Sequence, residues 1–302
     1  MWPTLFTQSS PFGEIPYNTW GLMIMLAFLG SAVVVYRRAP RVGIDPDVMS
    51  GMVLLAVVAG LAGARLLHFV GSSDADDFFA DPSIYFNLKR GGFAFYGGFI
   101  AAGLLGVVSA PLRNVDVWKF ADVTGPAVML GLSIGRLGCF FAGCCHGAEI
   151  ALPTGVHGLL PEDFSGGQLY VLGSKPFLVQ LTHKGVGLND VPTYPTQLWE
   201  AFAALGIFFI ASLVFSKRRF DGQAMATVLI LYSLWRPINE SMRGDAVRGI
   251  HNGITTSQWV SIAVLVVGIA LAIVGWRRGK KPETPWVPPS EADEDLGSAP
   301  RL

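Results

Sequence analysis

Seven apolar runs divide this chain, at residues 20–36, 48–70, 93–112, 118–141, 198–215, 224–242 and 259–276. Each is close to the ~20 residues that a helix needs to cross the hydrocarbon core of a bilayer. Such a pattern predicts an all-α polytopic membrane protein with seven transmembrane helices. Charge agrees with it. Only 15% of the residues are charged, against about 25% in an average soluble protein. The 22 basic and 22 acidic residues cancel, so the basic excess of a nucleic-acid binder is missing and no nucleic acid partner is expected. The first run is not expected to be a cleaved signal peptide, because no basic residue precedes it and Arg37, Arg38 and Arg41 follow it.

Basic residues mark the cytoplasmic side of a membrane protein. Arg37, Arg38 and Arg41 follow run 1, Arg113 and Lys119 flank the turn after run 3, and Lys217, Arg218 and Arg219 follow run 5. Arg277, Arg278, Lys280, Lys281 and Arg301 follow run 7, while residues 1–19 contain no Lys or Arg. The predicted orientation is N-terminus out, C-terminus in. Residues 1–19 then form an extracytoplasmic segment, and residues 20–276 a seven-helix membrane domain. That domain includes a small outer head segment, 143–197, between helices 4 and 5. Residues 277–302 form a cytoplasmic tail, Pro-rich and acidic from Pro282 onward, that is expected to be disordered.

Charges inside a membrane are costly, so they line cavities or pair with one another. Arg65, Arg136, Arg236, Glu240 and Arg243 fall in or near the outer ends of runs 2, 4 and 6. Arg236, Glu240 and Arg243 are spaced by four and three, which is one helix face. A lone arginine can snorkel to the headgroups. Four arginines with one glutamate and no lysine point instead to a cavity that uses the planar guanidinium fork, which matches phosphate oxygens. A phosphate-bearing membrane lipid is the ligand this implies. Arg136 lies between Gly135 and Gly138, whose missing side chains let a backbone or a ligand come close. Gly91-Gly92 and Gly97-Gly98 bracket the aromatic run 93–96 at the outer start of run 3. That run reads either as an interfacial aromatic belt or as the setting for Tyr96 as a proton donor, proton acceptor or phosphate ligand.

The three cysteines, Cys139, Cys144 and Cys145, sit just before His146. Zinc ligands usually come in pairs two to four residues apart with four ligands in all. Here two cysteines are adjacent and a fourth ligand is missing, so no metal and no cofactor is expected. Small residues that let helices pack tightly are the favoured reading. A redox pair at Cys144 and Cys145 is the other.

Four blocks in order resemble the phosphatidylglycerol–prolipoprotein diacylglyceryl transferase family of bacterial inner-membrane enzymes. They are the stretch from Gly135-Arg136-Leu137-Gly138-Cys139 to Gly147, Tyr194-Pro195-Thr196-Gln197-Leu198-Trp199-Glu200, Tyr232-Ser233-Leu234-Trp235-Arg236 with Glu240, Arg243, Gly244 and Asp245, and Thr256-Ser257-Gln258-Trp259. The likeness runs from about Tyr17 to Trp276. It implies transfer of a diacylglyceryl group from phosphatidylglycerol to the lipobox cysteine of a preprolipoprotein, with glycerol phosphate released, by a multi-pass protein of the bacterial cytoplasmic (inner) membrane. By resemblance Arg136 and Arg236 are the essential arginines, and Tyr96 occupies the place of the family's histidine. Gly97, Gly98, Gly135, Gly138, Cys139, Gly147, Glu240, Arg243 and Arg65 would bind substrate, Glu240 and Arg243 as a pair behind Arg236. Cys139 stands where the family has asparagine and Cys144 where it has an acidic residue. Two other classes compete: a membrane thiol–disulfide oxidoreductase using Cys144 and Cys145, which leaves the arginines unexplained, and a phospholipid-binding paralogue without chemistry.

Overall fold

The computed structural model describes residues 4–10, 13–71, 75–86, 92, 94–145, 147–148, 169–171, 178–182, 191–242, 250–251, 254–279 and 287. Every one of the seven apolar runs is helical: α1 (Thr19–Arg38), α2 (Pro46–Gly71), α4 (Phe95–Leu112), α5 (Val117–Ala142), α6 (Thr196–Lys217), α7 (Gln223–Ser241) and α8 (Thr256–Arg278). One short helix, α3 (Ala75–Ala80), was not expected. Among the described residues five helices, α1, α2, α5, α6 and α8, are long and apolar enough to cross a membrane. The apolar stretch of α4, Gly97–Leu112, is shorter, and α7 carries Arg236 and Glu240 near its end. Large apolar side chains such as Leu54, Leu104, Leu213 and Val266 are more than half exposed on these helices. A soluble fold buries such groups; a helix facing lipid does not. The chain is a multi-pass membrane protein.

Short antiparallel strands precede the first helix and lie between later ones. Strands β1 (Thr4–Ser10) and β2 (Gly13–Asn18) form a hairpin before α1. Strands β3 (Leu169–Val171), β4 (Leu178–Thr182) and β5 (Val191–Thr193) form a three-stranded sheet in the segment between α5 and α6. Strands β6 (Ile250–His251) and β7 (Ile254–Thr255) pair just before α8.

The chain divides into two compact units. The first holds α1 up to Ser31, α5 from Thr124, and α6, α7 and α8. Glycines on α5 close it onto α1: a Cβ at Gly138 would fall 2.8 Å from that of Met23, and one at Gly131 would fall 2.7 Å from Ser31 Oγ. Ser31 Oγ donates to Ala127 O at 2.8 Å along the same seam. Met129, Ile207, Ala211 and Val228 form a buried cluster joining α5, α6 and α7. Thr255 starts α8 with a capping box: its hydroxyl accepts from the Gln258 N–H, and the Gln258 side chain accepts from the Thr255 N–H, so two orphan donors are satisfied at once.

The second unit holds α1 from Ala32, α2, α3, α4 and α5 up to Val123. Here α2 and α4 meet backbone to backbone. A Cβ at Gly63 would fall 2.6 Å from Gly97 O, and one at Gly98 would fall 2.8 Å from Gly60 O. Hydrogen bonds then tie the end of α2 to the entry of α4. Tyr85 OH donates to Ala62 O at 2.9 Å, and the Ala94 N–H donates to Ala64 O at 2.9 Å. Gly92 makes the final turn before α4 with φ 84°, a conformation that glycine adopts without steric cost.

Candidate active site

Glu200 is the hub of the first unit. It lies in the second turn of α6 and is fully buried. The first turn of α6 is sewn to the chain leaving α5: Gln197 Nε2 donates to Cys144 O at 2.7 Å, and Thr196 Oγ1 donates to Cys145 O at 3.2 Å. This stitching holds the end of α5 against the start of α6, where Arg136 meets Glu200. Arg136 Nε lies 3.0 Å from Glu200 Oε2. Arg236, on α7, donates from Nη1 to both Glu200 oxygens, at 2.9 and 3.1 Å. Tyr232 OH donates to Glu200 Oε1 at 2.8 Å, and Asn239 Nδ2 donates to Oε2 at 3.1 Å. One carboxylate thus accepts hydrogen bonds from three side chains of α7 and forms an ion pair with Arg136 of α5. Two arginines and two glutamates balance in charge, which is the condition under which buried ions persist.

The two arginines are not equivalent. Arg236 commits all three nitrogens: Nη1 to Glu200, Nη2 to Glu240 Oε2 at 2.9 Å, and Nε to Ser257 Oγ at 3.1 Å. Arg136 commits Nε to Glu200, and its side chain is 17% exposed. Neither Nη of Arg136 has a protein partner among the described residues. A fork held from behind, with both outer nitrogens available, suits bidentate recognition of an oxyanion.

The remaining expected residues take other places. Glu240 pairs with Arg236; Arg243, its expected partner, lies outside the described residues, as does His146. Gly135 and Gly138 face α1, over Ile24 and Met23. Gly147 sits where three segments join: its N–H donates to Tyr194 O at 2.8 Å, and a Cβ there would fall 2.7 Å from Met242 O. Gly97 and Gly98 pack on α2 in the second unit. Arg65, also in that unit, is buried and donates to Tyr85 O and to Gly92 O, with its guanidinium 5.0 Å from the Phe69 ring centre. It braces the entry to α4. Tyr96 lies in the first turn of that helix, and its side chain is outside the described residues.

Cys144 follows α5 and is exposed. Hydrogen bonding with Cys139 first, then with Cys145, then burial push its thiol above the ordinary range. Sequence reasoning missed Glu200 as a site residue. Its signal is a carboxylate at the third position of the run 198–215, inside the block that resembles the family. Tyr232, Asn239 and Ser257 gave no separate signal.

Fold and site together define a class: a multi-pass membrane protein built around a buried arginine–glutamate centre whose one guanidinium fork is left open among the described residues. The comparisons name the family within that class. The chain belongs to the prolipoprotein diacylglyceryl transferase family, whose profile matches residues 9–274. It is 30% identical over 273 residues to phosphatidylglycerol–prolipoprotein diacylglyceryl transferase 2 of Clostridium perfringens, covering 89% of this chain and 95% of that protein. It is 28% identical over 269 residues to the phosphatidylglycerol–prolipoprotein diacylglyceryl transferase of Clostridium tetani, covering 89% and 96%. The enzyme of that name from Bacillus cereus is 30% identical over 281 residues, covering 92% and 95%.

Proposed function

We infer that this chain transfers the diacylglyceryl group of phosphatidylglycerol to a prolipoprotein, the activity its family and relatives are named for. In detail, the acceptor is the lipobox cysteine thiol of a preprolipoprotein. Its sulfur attacks the glyceryl carbon that bears the phosphate. A C–S bond forms, the C–O bond to phosphate breaks, and glycerol phosphate leaves; the thiol proton passes to solvent or to the departing phosphate. Negative charge grows on the leaving phosphate, so fixed cationic donors placed there lower the barrier.

The open fork of Arg136 is the observation that carries this reading. Its Nη groups would hold the phosphate oxygens, Glu200 would fix the fork's direction, and Arg236 with Glu240 would hold Glu200 in place. Tyr96 would donate a hydrogen bond to a phosphate or ester oxygen, a role that suits a phenol with an ordinary pKa near 10 better than that of a base. The resemblance also assigns Arg65, Gly97, Gly98, Gly135, Gly138, Cys139, Gly147 and Arg243 to substrate binding. The frame we propose is seven spanning helices, N-out and C-in, in the bacterial inner membrane. Residues 143–197 form an outer head and residues 277–302 a cytoplasmic tail.

Turnover on purified protein tests the reading, with phosphatidylglycerol and a lipobox peptide as substrates. Lipidated peptide and glycerol phosphate, both absent with Arg136→Ala, are expected. Lipid that binds without product would leave a phospholipid-binding paralogue in its place.

A further inference from the structure

Three thiols without a chemical role in that reaction meet at the end of α5. Cys139 lies in the last turn of the helix, and Cys144 and Cys145 follow it. Their three Sγ atoms lie within 4.8 Å of one another, the one grouping of three or more metal-ligating side chains among the described residues. The backbone that presents them is fixed independently of the sulfurs. The Gly143 N–H donates to Phe140 O and the Cys144 N–H to Cys139 O, both at 3.1 Å. The carbonyls of Cys144 and Cys145 accept from Gln197 and Thr196. Cys145 itself takes φ 61°, a left-handed conformation uncommon for a residue with a Cβ.

We propose that Cys139, Cys144 and Cys145 bind one thiophilic divalent cation, zinc in the first place, as three thiolates with a fourth coordination position open on the exposed side of Cys144. Zinc–sulfur bonds of about 2.3 Å in a tetrahedron put the sulfurs about 3.8 Å apart, so the trio needs to close by about an ångström at most. The cluster mixes no hard oxygen ligand with its sulfurs, and soft thiolate sets select zinc or monovalent copper over magnesium or calcium. Three thiolates and a dication carry one net negative charge. Arg136 lies one helical turn before Cys139 on α5. On binding, three sulfur–metal bonds form and each thiol gives its proton to solvent; nothing is oxidised or reduced. Sequence spacing alone disfavoured a metal, because adjacent cysteines do not match the usual pairs. Here the spacing that matters is made by the helix end and the left-handed turn.

The test uses full-length protein purified under reducing conditions, its three thiols counted with a chromogenic thiol reagent. It is titrated with Co²⁺ and then with Zn²⁺. One Co²⁺ per chain is expected, with ultraviolet sulfur-to-cobalt charge-transfer absorption that one equivalent of Zn²⁺ abolishes. Cys139→Ser, Cys144→Ser and Cys145→Ser should each weaken zinc binding by about a hundredfold or more, since even outer partners of a metal ligand cost 10–100-fold. Alkylating the wild-type thiols beforehand should give the same loss without any substitution. Three reduced thiols with no charge-transfer band would overturn the site. So would a band that survives Cys144→Ser and Cys145→Ser alike, or a disulfide among the three in protein isolated without reductant.

Discussion

Glu200 shows what a single buried carboxylate does when nothing but side chains can satisfy it. It accepts from Arg236, Tyr232 and Asn239 and is ion-paired with Arg136, so its removal leaves two guanidinium groups without their shared counterion. Breaking a buried pair from one side costs about 3–5 kcal/mol. Glu200→Gln should therefore lower thermal stability in detergent by that order as well as abolish transfer, read by a melting curve and the turnover assay. The two arginines should respond differently to lysine. Arg136→Lys keeps a charge but loses the fork, so turnover should fall about 10²–10³-fold, the scale of a lost transition-state donor, with little change in melting temperature. Arg236→Lys loses the fork that reaches Ser257 and Glu240, and its main effect should be on the melting curve. A larger stability loss for Arg136→Lys than for Arg236→Lys would reverse the roles assigned to them.

At the scale of elements, close backbone approach decides which helices meet. Gly63 and Gly97 lie against each other where α2 crosses α4, and no side chain fits there without moving a backbone. Gly97→Leu should destabilise the second unit by about 1–3 kcal/mol, the usual cost of overpacking, and should be seen as faster proteolysis between α2 and α4. Gly97→Ala should do less. A smaller effect is expected where capping is the issue. Thr255→Ala removes the acceptor for the Gln258 N–H and should cost about 1 kcal/mol, with transfer retained. The helical runs were legible because each is a continuous apolar stretch flanked by charge or glycine. Their partners were not, because Gly131, Gly138, Gly63 and Gly97 look alike in sequence and differ only in what lies opposite them.

At the scale of the whole molecule, orientation rests on the distribution of basic residues, which favours a cytoplasmic C-terminus. A fluorescent protein fused after Leu302 should therefore fluoresce and an alkaline phosphatase fused there should be silent, with the opposite result for fusions in the 143–197 segment. Agreement of the two sites in sign would remove the topology. Family membership bears on what the chain does, and the open fork of Arg136 on how it does it; the reporter fusions address where it does so.

Hydrophobic run length, charge scarcity and four short blocks were enough, without coordinates, to reach helices, membrane and family, because those properties are local and additive along the chain. Arg136 and Arg236 were legible for the same reason: an arginine in an apolar run is conspicuous wherever it packs. What only the tertiary structure decided is pairing. Glu240 turned out to belong to Arg236, Arg65 to the carbonyls of Tyr85 and Gly92, and Glu200 to both arginines of the first unit. The three cysteine sulfurs came within 4.8 Å of one another despite a spacing that argued against it. Pairing depends on helix rotation and on backbone contacts between segments far apart in sequence, and a lone sequence holds no record of either.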